Sequence, residues 1–372
     1  MTRHILERPP KILILGEAAA VHTRRWVDHF RDMGWTVRWL SFPPTDQGTG
    51  VEEIPMLAER KALAIWRARK LVRTQADDFR PDIVSALFLP DYGWLACLIG
   101  HHPLAVSAWG SDVLLAPRKS ILHRWRIQYV LRHADWVFCD AAMLGQRMVE
   151  LGAEGEHIRV VPLGVSDAWL DVGRNKPRIS DRLPHVVTNR RLEPLYRTDT
   201  FVRAVAAIEA QRPGAFRFTL VGDGSQRGML ESLASELGVR DRIEFTGYLP
   251  EEQLRSLMSD ADIFVSCSSS DGTSVSLLEA MAARVFPIVT NLPANREWVI
   301  PGEGGTVFPV GDHERLATTI IDAARNAELR AAATDRNYQL VTQRGRWSDN
   351  MEQVEEDLLR LIADRHQSKS NS

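Results

Sequence analysis

Two carboxylates in the second half of the chain carry the strongest chemical signal. Asp271 precedes a predicted helix, and Glu279 lies a turn or more inside it, after a predicted strand at 263–266. Thr273 or Ser274 is a suitable N-cap, so the free N–H groups of the following turn are available to a phosphate. In one interpretation, one carboxylate contacts a sugar and the other a ribose. In the alternative, the segment is a capped helix with two solvated acids.

A glycine-rich segment precedes this pair in the chain. Gly222, Gly224 and Gly228 lie between a predicted strand and a predicted helix. Glycines at such a point let the backbone approach a phosphate, which the helix N-terminus attracts. The spacing is one residue longer than the dinucleotide fingerprint. The segment is therefore consistent with a tight turn, with another phosphate ligand or with dinucleotide binding.

Short apolar segments that alternate with longer helical segments predict the elements that position these residues. Predicted strands in the first half lie at 11–15, 36–41, 81–85, 105–109, 136–139 and 158–162, and in the second half at 185–188, 216–221, 242–245, 263–266 and 286–289. This alternation is typical of parallel sheets covered by helices. We expect two α/β domains in tandem, with ligands at the carboxyl ends of the strands, in the cleft between the domains.

The length of 372 residues fits two such domains. We predict a first domain at 1–167 and, where the apolar periodicity lapses, a linker at 168–183. The second domain is predicted at 184–345. Residues 346–372 are predicted to form a C-terminal helix that packs back on the first domain, followed by a polar tail.

Composition excludes several classes of protein. With 44% hydrophobic and 25% charged residues the chain is neither disordered nor fibrous. The 46 Lys and Arg residues nearly balance the 48 Asp and Glu residues, which argues against nucleic acid as a partner. Since no apolar run resembles a secretory leader or a membrane span, we expect a cytoplasmic protein, either free or peripheral on the inner face of the membrane.

Two basic stretches of the first domain contain tryptophan and lack acidic residues. They lie at 60–73, around Trp66, and at 118–132, around Trp125. Basic amphipathic helices with tryptophan are typical of elements that bind an anionic membrane surface. A solvated helix with a buried apolar stripe is the commoner arrangement, and both interpretations remain open.

Motifs along nearly the whole chain resemble glycosyltransferase family 4. They are Val-Gly-Asp-Gly at 221–224, Asp-Arg-Ile-Glu-Phe-Thr-Gly-Tyr-Leu-Pro at 241–250, Ala-Asp-Ile-Phe-Val at 261–265 and Leu-Leu-Glu-Ala-Met-Ala at 277–282, with further matches at 22–26, 160–165, 297–299 and 305–307. The resemblance implies the GT-B fold, in which two Rossmann-like domains face a cleft. It also implies a retaining enzyme that uses a nucleotide-sugar donor and no metal, with a UDP-sugar favoured over a GDP-sugar.

The resemblance also implies roles for individual residues. The paired acids of the family fall on Asp271, which would contact the donor sugar, and Glu279, which would bind the ribose. Donor-side matches are Gly247 and Tyr248 against the base and Thr273, Ser274 and Val275 at the sugar and phosphate; acceptor-side matches are Gly16, His22, Trp109 and Asp112. A carbohydrate or lipid-linked acceptor is expected, in the synthesis of a polysaccharide, glycolipid or other glycoconjugate.

Arg191 matches the family arginine that holds the pyrophosphate. Tyr196 stands where a lysine is usual, so the second positive charge is assigned to Arg197. Without a ligand the same segment, with Arg190, would be a solvated basic turn. Trp109 replaces a usual histidine, and Arg284 replaces a usual glycine at the end of a predicted helix.

Alternative functions remain open on the sequence alone. The glycines at 222–228 suit a Rossmann-type NAD(P) oxidoreductase, and the missing lysine and histidine suit a non-catalytic nucleotide-sugar binder. A sugar-nucleotide epimerase of the same fold is a further alternative. Asp260 and Asp262 have the outline of a metal-binding D-x-D motif, but they directly precede a strand and match a structural position of the family, so no metal site is predicted there.

Overall fold

The computed structural model describes residues 8–176 and 182–370. The chain divides into two compact units. Unit 1 comprises Met1–Val161 and Asp349–Ser372, and unit 2 comprises Pro162–Ser348. Both units are built on a parallel sheet.

Unit 1 contains a seven-stranded sheet in the order β3-β2-β1-β4-β5-β6-β7. Its elements are β1 (Lys11–Leu15), α1 (Val21–Asp32), β2 (Thr36–Ser41), β3 (Val51–Glu53), α2 (Lys61–Phe79), β4 (Ile83–Leu87), α3 (Trp94–Ile99), β5 (Leu104–Ala108), α4 (Ser111–Leu114), α5 (Ala116–Lys119), α6 (Ile121–His133), β6 (Trp136–Cys139), α7 (Ala142–Leu151) and β7 (Ile158–Val160). The central strands β4 and β5 are buried along their whole length because helices cover both of their faces. In β1, Ile12 and Leu13 are both fully buried although they face opposite ways.

Unit 2 contains a six-stranded parallel sheet in the order β10-β9-β8-β11-β12-β13. Its elements are α8 (Asp167–Asn175), β8 (His185–Asn189), α9 (Thr198–Gln211), β9 (Arg217–Val221), α10 (Arg227–Glu236), β10 (Ile243–Gly247), α11 (Glu251–Asp260), β11 (Ile263–Ser266), α12 (Val275–Ala282), β12 (Phe286–Thr290), α13 (Pro293–Arg296), β13 (Thr306–Phe308), α14 (His313–Arg325) and α15 (Ala327–Arg344). The sheet separates two apolar cores. Val186 belongs to one core and Val187 to the other, as the alternation of side chains along a strand requires.

Helix α16 (Trp347–Ser370) supplies the C-terminal part of unit 1. Trp35 donates its indole N–H to Glu355 Oε1 at 2.9 Å, and Arg159 forms an ion pair with Asp357 at 2.8 Å. The Asp357 side chain is only 2% exposed, so these bonds hold the helix on the body of the unit.

The strands predicted from the sequence all correspond to observed strands, with ends that differ by at most two residues. The sequence analysis missed β3 and β13. Each is three residues long, with one apolar residue in β3 and two in β13, which is too few for a recognisable apolar run.

The prediction of a linker at 168–183 is wrong for its first half. Residues 168–175 belong to α8, which packs into unit 2 through buried Trp169 and Leu170. Gly173 is not a flexible linker residue, because a Cβ there would lie 2.0 Å from the carbonyl oxygen of Ala282. The part of the predicted linker at 177–181 lies outside the described residues, as do 1–7 of the predicted first domain and 371–372 of the predicted tail.

Arg284 adopts a left-handed backbone conformation. It stands where the family resemblance makes glycine the usual residue, and glycine is the residue best suited to this conformation. The φ of Arg284 is +53°, directly after α12. The guanidinium forms an ion pair with Asp335 and lies 4.4 Å from the ring centre of Tyr338. These contacts offset part of the backbone strain, which is about 1 kcal/mol or more for a residue with a Cβ.

Candidate functional site

The carboxyl edge of the unit 2 sheet contains most of the residues that the sequence marks. Strand β8 lies between β9 and β11. After β8 the chain forms β9 and β10 on one side of it and then crosses to the other side, where it forms β11. Reversal of strand order at this point creates a crevice outside the strand ends. The segments that follow β8, β9, β10 and β11 all lie at this edge because the strands are parallel.

Asp271 lies in the loop between β11 and α12, and Arg190 from the loop after β8 reaches it. The Arg190 guanidinium donates one hydrogen bond to Asp271 Oδ2 and another to Ser274 Oγ. The side chains of Arg190 and Asp271 are 8% and 16% exposed. Burial raises the pKa of Asp271, while the charge of Arg190 and hydrogen bonds from Ser268 and Arg190 act in the opposite direction.

Glu279 lies on α12, and the neighbouring residue of the β8 segment contacts it. Asn189 Nδ2 lies 3.4 Å from Glu279 Oε2. Two successive residues, Asn189 and Arg190, thus contact the two acids that the sequence analysis singles out. The sequence analysis missed Asn189 and placed Arg190 only in a solvated turn. Their position directly at the end of a predicted strand is the signal that could have identified them, because strand ends form the sites of parallel sheets.

The N-terminus of α12 is organised as the sequence predicts. Ser274 is the N-cap, and its side chain accepts a hydrogen bond from the N–H of Leu277. Thr273 is buried, and its hydroxyl accepts a hydrogen bond of 3.3 Å from the indole of Trp298. Val275 is the first residue of the helix. The start of this helix lies between Asp271 and Glu279, so the site combines two carboxylates with a helix N-terminus, the end at which backbone N–H groups favour anions.

The loops after β9 and β10 complete this edge. Gly222 has a φ of +130°, and a Cβ there would lie 2.0 Å from the carbonyl oxygen of Arg190. This glycine therefore allows the backbone of the β9 loop to pack against the backbone of the β8 loop. Gly222 also donates its N–H to the Gly247 carbonyl at 2.8 Å. The next residue, Tyr248, is 74% exposed, so its ring is open to a ligand.

Arg191 and Arg197 belong to the same segment as Arg190 but do not join its contacts with the acids. Arg191 is 78% exposed and lies 3.9 Å from Glu193. Arg197 forms an ion pair of 3.4 Å with Asp199, at the start of α9. Of the three arginine side chains, that of Arg190 is the least exposed, at 8%.

Asp260 and Asp262 lie at the opposite, amino edge of the sheet. Asp260 forms ion pairs with Arg182 and Arg217, and Asp262 accepts the backbone N–H of His185 at 2.8 Å. Both carboxylates serve to join α11 and β11 to the start of β8. They are remote from the carboxyl-edge residues because parallel strands present their two ends at opposite edges.

The carboxyl edge of unit 1 contains Gly16, His22, Trp109 and Asp112. Gly16 follows β1, and its carbonyl accepts a bond from the Trp39 indole. The rings of His22 and Trp109 are 6.3 Å apart, with Trp109 at the end of β5.

Asp112 is fully buried, and its carboxylate accepts the backbone N–H groups of Leu89, Trp109 and Gly110 at 3.1–3.4 Å. Burial raises the pKa of Asp112 to about 6, against the effect of these hydrogen bonds. The carboxylate therefore shapes the turn that carries Trp109 and does not face solvent.

Five exposed apolar side chains lie on two helices of unit 1: Leu63 and Trp66 on α2, and Ile121, Leu122 and Trp125 on α6. Because they lie within the basic stretches at 60–73 and 118–132, we call them together the basic apolar surface. Ile121 is 89% exposed, and each tryptophan is 49% exposed. Neither tryptophan is therefore a core residue. Within 8–176 and 182–370, no helix combines the length and the apolar character that crossing a bilayer requires.

The two helices of the basic apolar surface begin near a common point. Helix α3 contacts both α2 and α6. Lys61, at the start of α2, forms an ion pair of 2.8 Å with Asp91, and Asp91 also acts electrostatically on His123 of α6. Burial, followed by the charges of Arg126 and Lys119, lowers the pKa of His123, while Asp91 acts in the opposite direction.

Two family models match the chain. The model described as glycosyl transferases group 1 matches residues 172–340, and the model described as glycosyl transferase 4-like matches residues 11–141. The two matches thus fall in unit 2 and unit 1.

Curated relatives carry glycosyltransferase names. The lipopolysaccharide core biosynthesis glycosyltransferase LpsE of Rhizobium meliloti is 28% identical over 240 residues, covering 64% of this chain and 66% of that protein. The putative colanic acid biosynthesis glycosyltransferase WcaL of Escherichia coli is 26% identical over 316 residues, covering 75% of each chain. Two further relatives, a D-inositol 3-phosphate glycosyltransferase of Acidothermus cellulolyticus and WcaL of Salmonella typhimurium, are matched over 48% and 50% of their length. The chain thus spans about half to two thirds of these relatives, with the E. coli protein covered further.

Solved structures share the fold. HepE of Anabaena, in complex with UDP, superposes with a TM-score of 0.78 at 17% identity and covers 94% of this chain and 100% of that chain. The sucrose-phosphate synthase of Thermosynechococcus elongatus gives the same TM-score at 17% identity, with 95% and 100% covered. At this identity the likeness establishes the two-domain architecture only.

Proposed function

Since this chain is a GT-B protein of the glycosyltransferase family 4-like group, we propose that it transfers a sugar from a nucleotide diphosphate sugar to an acceptor hydroxyl with retention of configuration. One observation carries the proposal. At the carboxyl edge of unit 2, Asp271 and Glu279 lie on either side of the first turn of α12, so two carboxylates lie beside the backbone amides of a helix start.

In this proposal, the donor lies along the carboxyl edge of unit 2. Glu279 accepts hydrogen bonds from the ribose hydroxyls, and Asp271 accepts one from the transferred sugar. Amides at the start of α12, at Ser274 and Val275, receive the diphosphate. Tyr248, which is 74% exposed after the turn at Gly247, lies against the base.

The chemical step requires stabilisation of negative charge on the departing diphosphate while the sugar gains oxocarbenium character. Arg191 is 78% exposed and Arg197 is 40% exposed, so both guanidinium groups are accessible to that charge. In the front-face route that we propose, the leaving phosphate accepts the acceptor proton. No carboxylate nucleophile and no metal are needed in this route.

We propose a UDP-sugar as the donor in preference to a GDP-sugar. Support comes from HepE, whose structures are described as complexes with UDP and with UDP-glucose. The acceptor is a carbohydrate or a lipid-linked molecule of glycoconjugate synthesis, in keeping with the names of LpsE and WcaL. Gly16, His22 and Trp109 form its proposed contact region on unit 1, and Asp112 holds Trp109 in place from below.

The donor assignment is tested by a thermal-shift screen with UDP-, GDP- and ADP-sugars. A ligand at 100 times its dissociation constant adds about 2.7 kcal/mol to the free energy of unfolding. We expect a UDP-sugar to raise the melting temperature most, and Glu279→Ala to remove the shift. If no nucleotide sugar shifts the parent, the donor assignment is wrong. A shift without turnover would support a non-catalytic binder instead.

The basic apolar surface of unit 1 supports a second part of the proposal, a peripheral position on the inner face of an anionic membrane. Exposed Trp66 and Trp125 can enter the interface while basic residues of the two stretches meet anionic headgroups, each contributing about 1 kcal/mol. Such attraction is screened over about 8 Å at physiological ionic strength.

Sedimentation with vesicles of anionic lipid tests this position. We expect binding at low salt that falls steeply as salt rises. Replacing Arg67, Arg69 and Lys70 with Glu should release the protein and leave donor binding intact. The matched control replaces three exposed arginines of unit 2, Arg203, Arg212 and Arg315, with Glu and changes the net charge equally. If the parent does not sediment at low salt, the membrane position is wrong and a soluble acceptor is favoured.

A further inference from the structure

Arg190 joins three neighbouring elements of the unit 2 crevice through one buried guanidinium. It bonds to Asp271 in the loop after β11 and to Ser274 at the N-cap of α12. Its other face lies on the ring of Tyr196, with 4.3 Å between Cζ and the ring centre. The planar, forked shape of arginine suits simultaneous bonds of this kind, whereas a lysine ammonium would satisfy fewer of them.

The backbone of Arg190 is held as firmly as its side chain. Its N–H donates to the carbonyl of Val221 at 3.2 Å, and Gly222 packs directly against its carbonyl oxygen. The backbone from which the Arg190 side chain extends is therefore fixed at the end of β8.

Burying a charged pair has a large desolvation cost, and truncating one partner leaves the other charge uncompensated. Without Arg190, the Asp271 carboxylate would be such an uncompensated charge. Its environment already disfavours the charged form, since burial raises the pKa of the carboxyl. Among the described residues, Arg190 is the charged group that acts on Asp271, and Ser268 adds a neutral hydroxyl. Removing the positive charge therefore moves the pKa of Asp271 further upward, because the charge of Arg190 opposes the effect of burial.

Ser274 links the same guanidinium to the end of α12. Its hydroxyl accepts from Arg190 and from the N–H of Leu277. The loop at 271–274 is thus attached to Arg190 at its first and last residues, which fixes the Asp271 carboxylate relative to the amides of the helix start.

We propose that Arg190 is a positioning residue that anchors the 271–274 loop through Asp271 and Ser274 and, through its ion pair, holds the Asp271 carboxylate in place for its donor contact. The last clause of this inference rests on the proposed function. Arg190 itself does not touch the reacting atoms; it acts through the two residues that it holds.

Two measurements on the full chain test the role of Arg190. The first is a ¹³C NMR titration of the Asp271 carboxyl, whose signal is identified because it is missing from the spectrum of Asp271→Asn. The second is the pH profile of kcat/KM with a UDP-sugar. Both are made on the parent, Arg190→Met, Arg190→Lys and the control Arg203→Met, which removes an exposed arginine of α9.

We expect Arg190→Met to raise the titration midpoint of Asp271 by at least about one pH unit and to move the acid limb of kcat/KM upward by the same amount. Activity should then recover at alkaline pH, which a merely misfolded variant would not show. Arg190→Lys should restore most of the midpoint because it restores the charge, and Arg203→Met should match the parent.

If the titration midpoint of Asp271 in both Arg190→Met and Arg190→Lys equals that of the parent, the inference is wrong. If Arg190→Met does not fold, Arg190→Gln serves in its place, because it retains hydrogen bonding without the charge. Failure of the proposed function appears differently: the parent then turns over no nucleotide sugar, while the NMR midpoints still decide whether Arg190 controls Asp271.

Discussion

Asn189 Nδ2 lies 3.4 Å from Glu279 Oε2, at the end of the central strand of unit 2. The adjacent Arg190 binds Asp271, so consecutive residues of one strand end contact the two acids of the site. Because the strand is fixed within the sheet, these contacts fix the positions of the two carboxylates relative to β8. Preorganisation of this kind reduces the entropy cost of binding.

Asn189→Asp tests the contact with Glu279. The substitution places a second carboxylate beside Glu279 with almost no change in size, and close like charges disfavour ionisation of one of them. We expect nucleotide affinity at pH 7 to fall tenfold or more, with partial recovery at lower pH. Isothermal titration with UDP measures the effect, and Asn189→Ala, which adds no charge, is the control. Equal affinity in the Asp and Ala variants would show that this contact does not influence the site.

Arg191→Ala tests the assignment of the pyrophosphate arginine. The Arg191 side chain is 78% exposed, so its removal should leave the fold unaffected. We expect the rate constant at saturating donor to fall more than donor affinity does, because its charge is needed most as the diphosphate departs. A rate constant within twofold of the parent would exclude this role. Arg197→Ala, measured in the same way, reports whether Arg197 supplies the second charge.

Asp112→Asn tests the buried carboxyl of unit 1. The pKa of Asp112 is about 6 in the folded protein against 3.8 as the ordinary value, so the folded state holds a proton that the unfolded state loses between these pH values. Its contribution to stability is therefore present below pH 4 and is lost as the pH rises through 6, a change of about 3 kcal/mol. We expect the free energy of unfolding of Asp112→Asn to rise relative to the parent over this range. The free energy of unfolding is measured with urea at pH 4 and pH 7. If the difference between Asp112→Asn and the parent is the same at both pH values, the burial of a titrating carboxyl here is contradicted.

Arg284 provides a test of backbone strain. Because its φ is +53°, glycine is better suited to the position than any residue with a Cβ. We expect Arg284→Gly to be more stable than Arg284→Ala by about 1 kcal/mol, the reverse of the usual order within helices. Thermal unfolding compares the two variants, which lose the same contacts with Asp335 and Tyr338. Equal stability would show that the left-handed conformation costs nothing.

Most of the fold is predictable from the sequence because buried parallel strands are continuous apolar runs. The run at 11–15, for example, coincides with β1. Helix α8 was missed because Asp171, Gly173 and Asn175 suggest a linker, whereas Trp169 and Leu170 form its buried face. A short amphipathic helix of this kind is recognisable only when its partner surface is known.

The acid pair and the helix start of the candidate site were also predictable, since Asp271, Ser274 and Glu279 lie close together in the chain. The roles of Asn189 and Arg190 were not, because they depend on which strand lies beside β11. Strand order is a tertiary property: residues about 80 to 90 positions apart become neighbours only when β8 occupies the centre of the sheet. Exposure also distinguishes the two arginines: the side chain of Arg190 is 8% exposed and that of the adjacent Arg191 is 78% exposed, a difference that the sequence does not reveal.

The anomeric configuration of the sugar released at first turnover tests the central claim most directly. A UDP-α-sugar is incubated with the parent and with Glu279→Ala, water serving as the acceptor, and the anomeric proton is followed by NMR from the earliest time points. We expect the parent to release UDP together with the α-anomer and Glu279→Ala to release neither at a comparable rate, because each lost charged hydrogen bond costs about 1.5 to 3 kcal/mol. Initial appearance of the β-anomer would contradict retention. Equal rates of sugar release by the parent and by Glu279→Ala would contradict the donor site. The donor site would also be contradicted if the parent released no sugar from UDP-, GDP- or ADP-sugars.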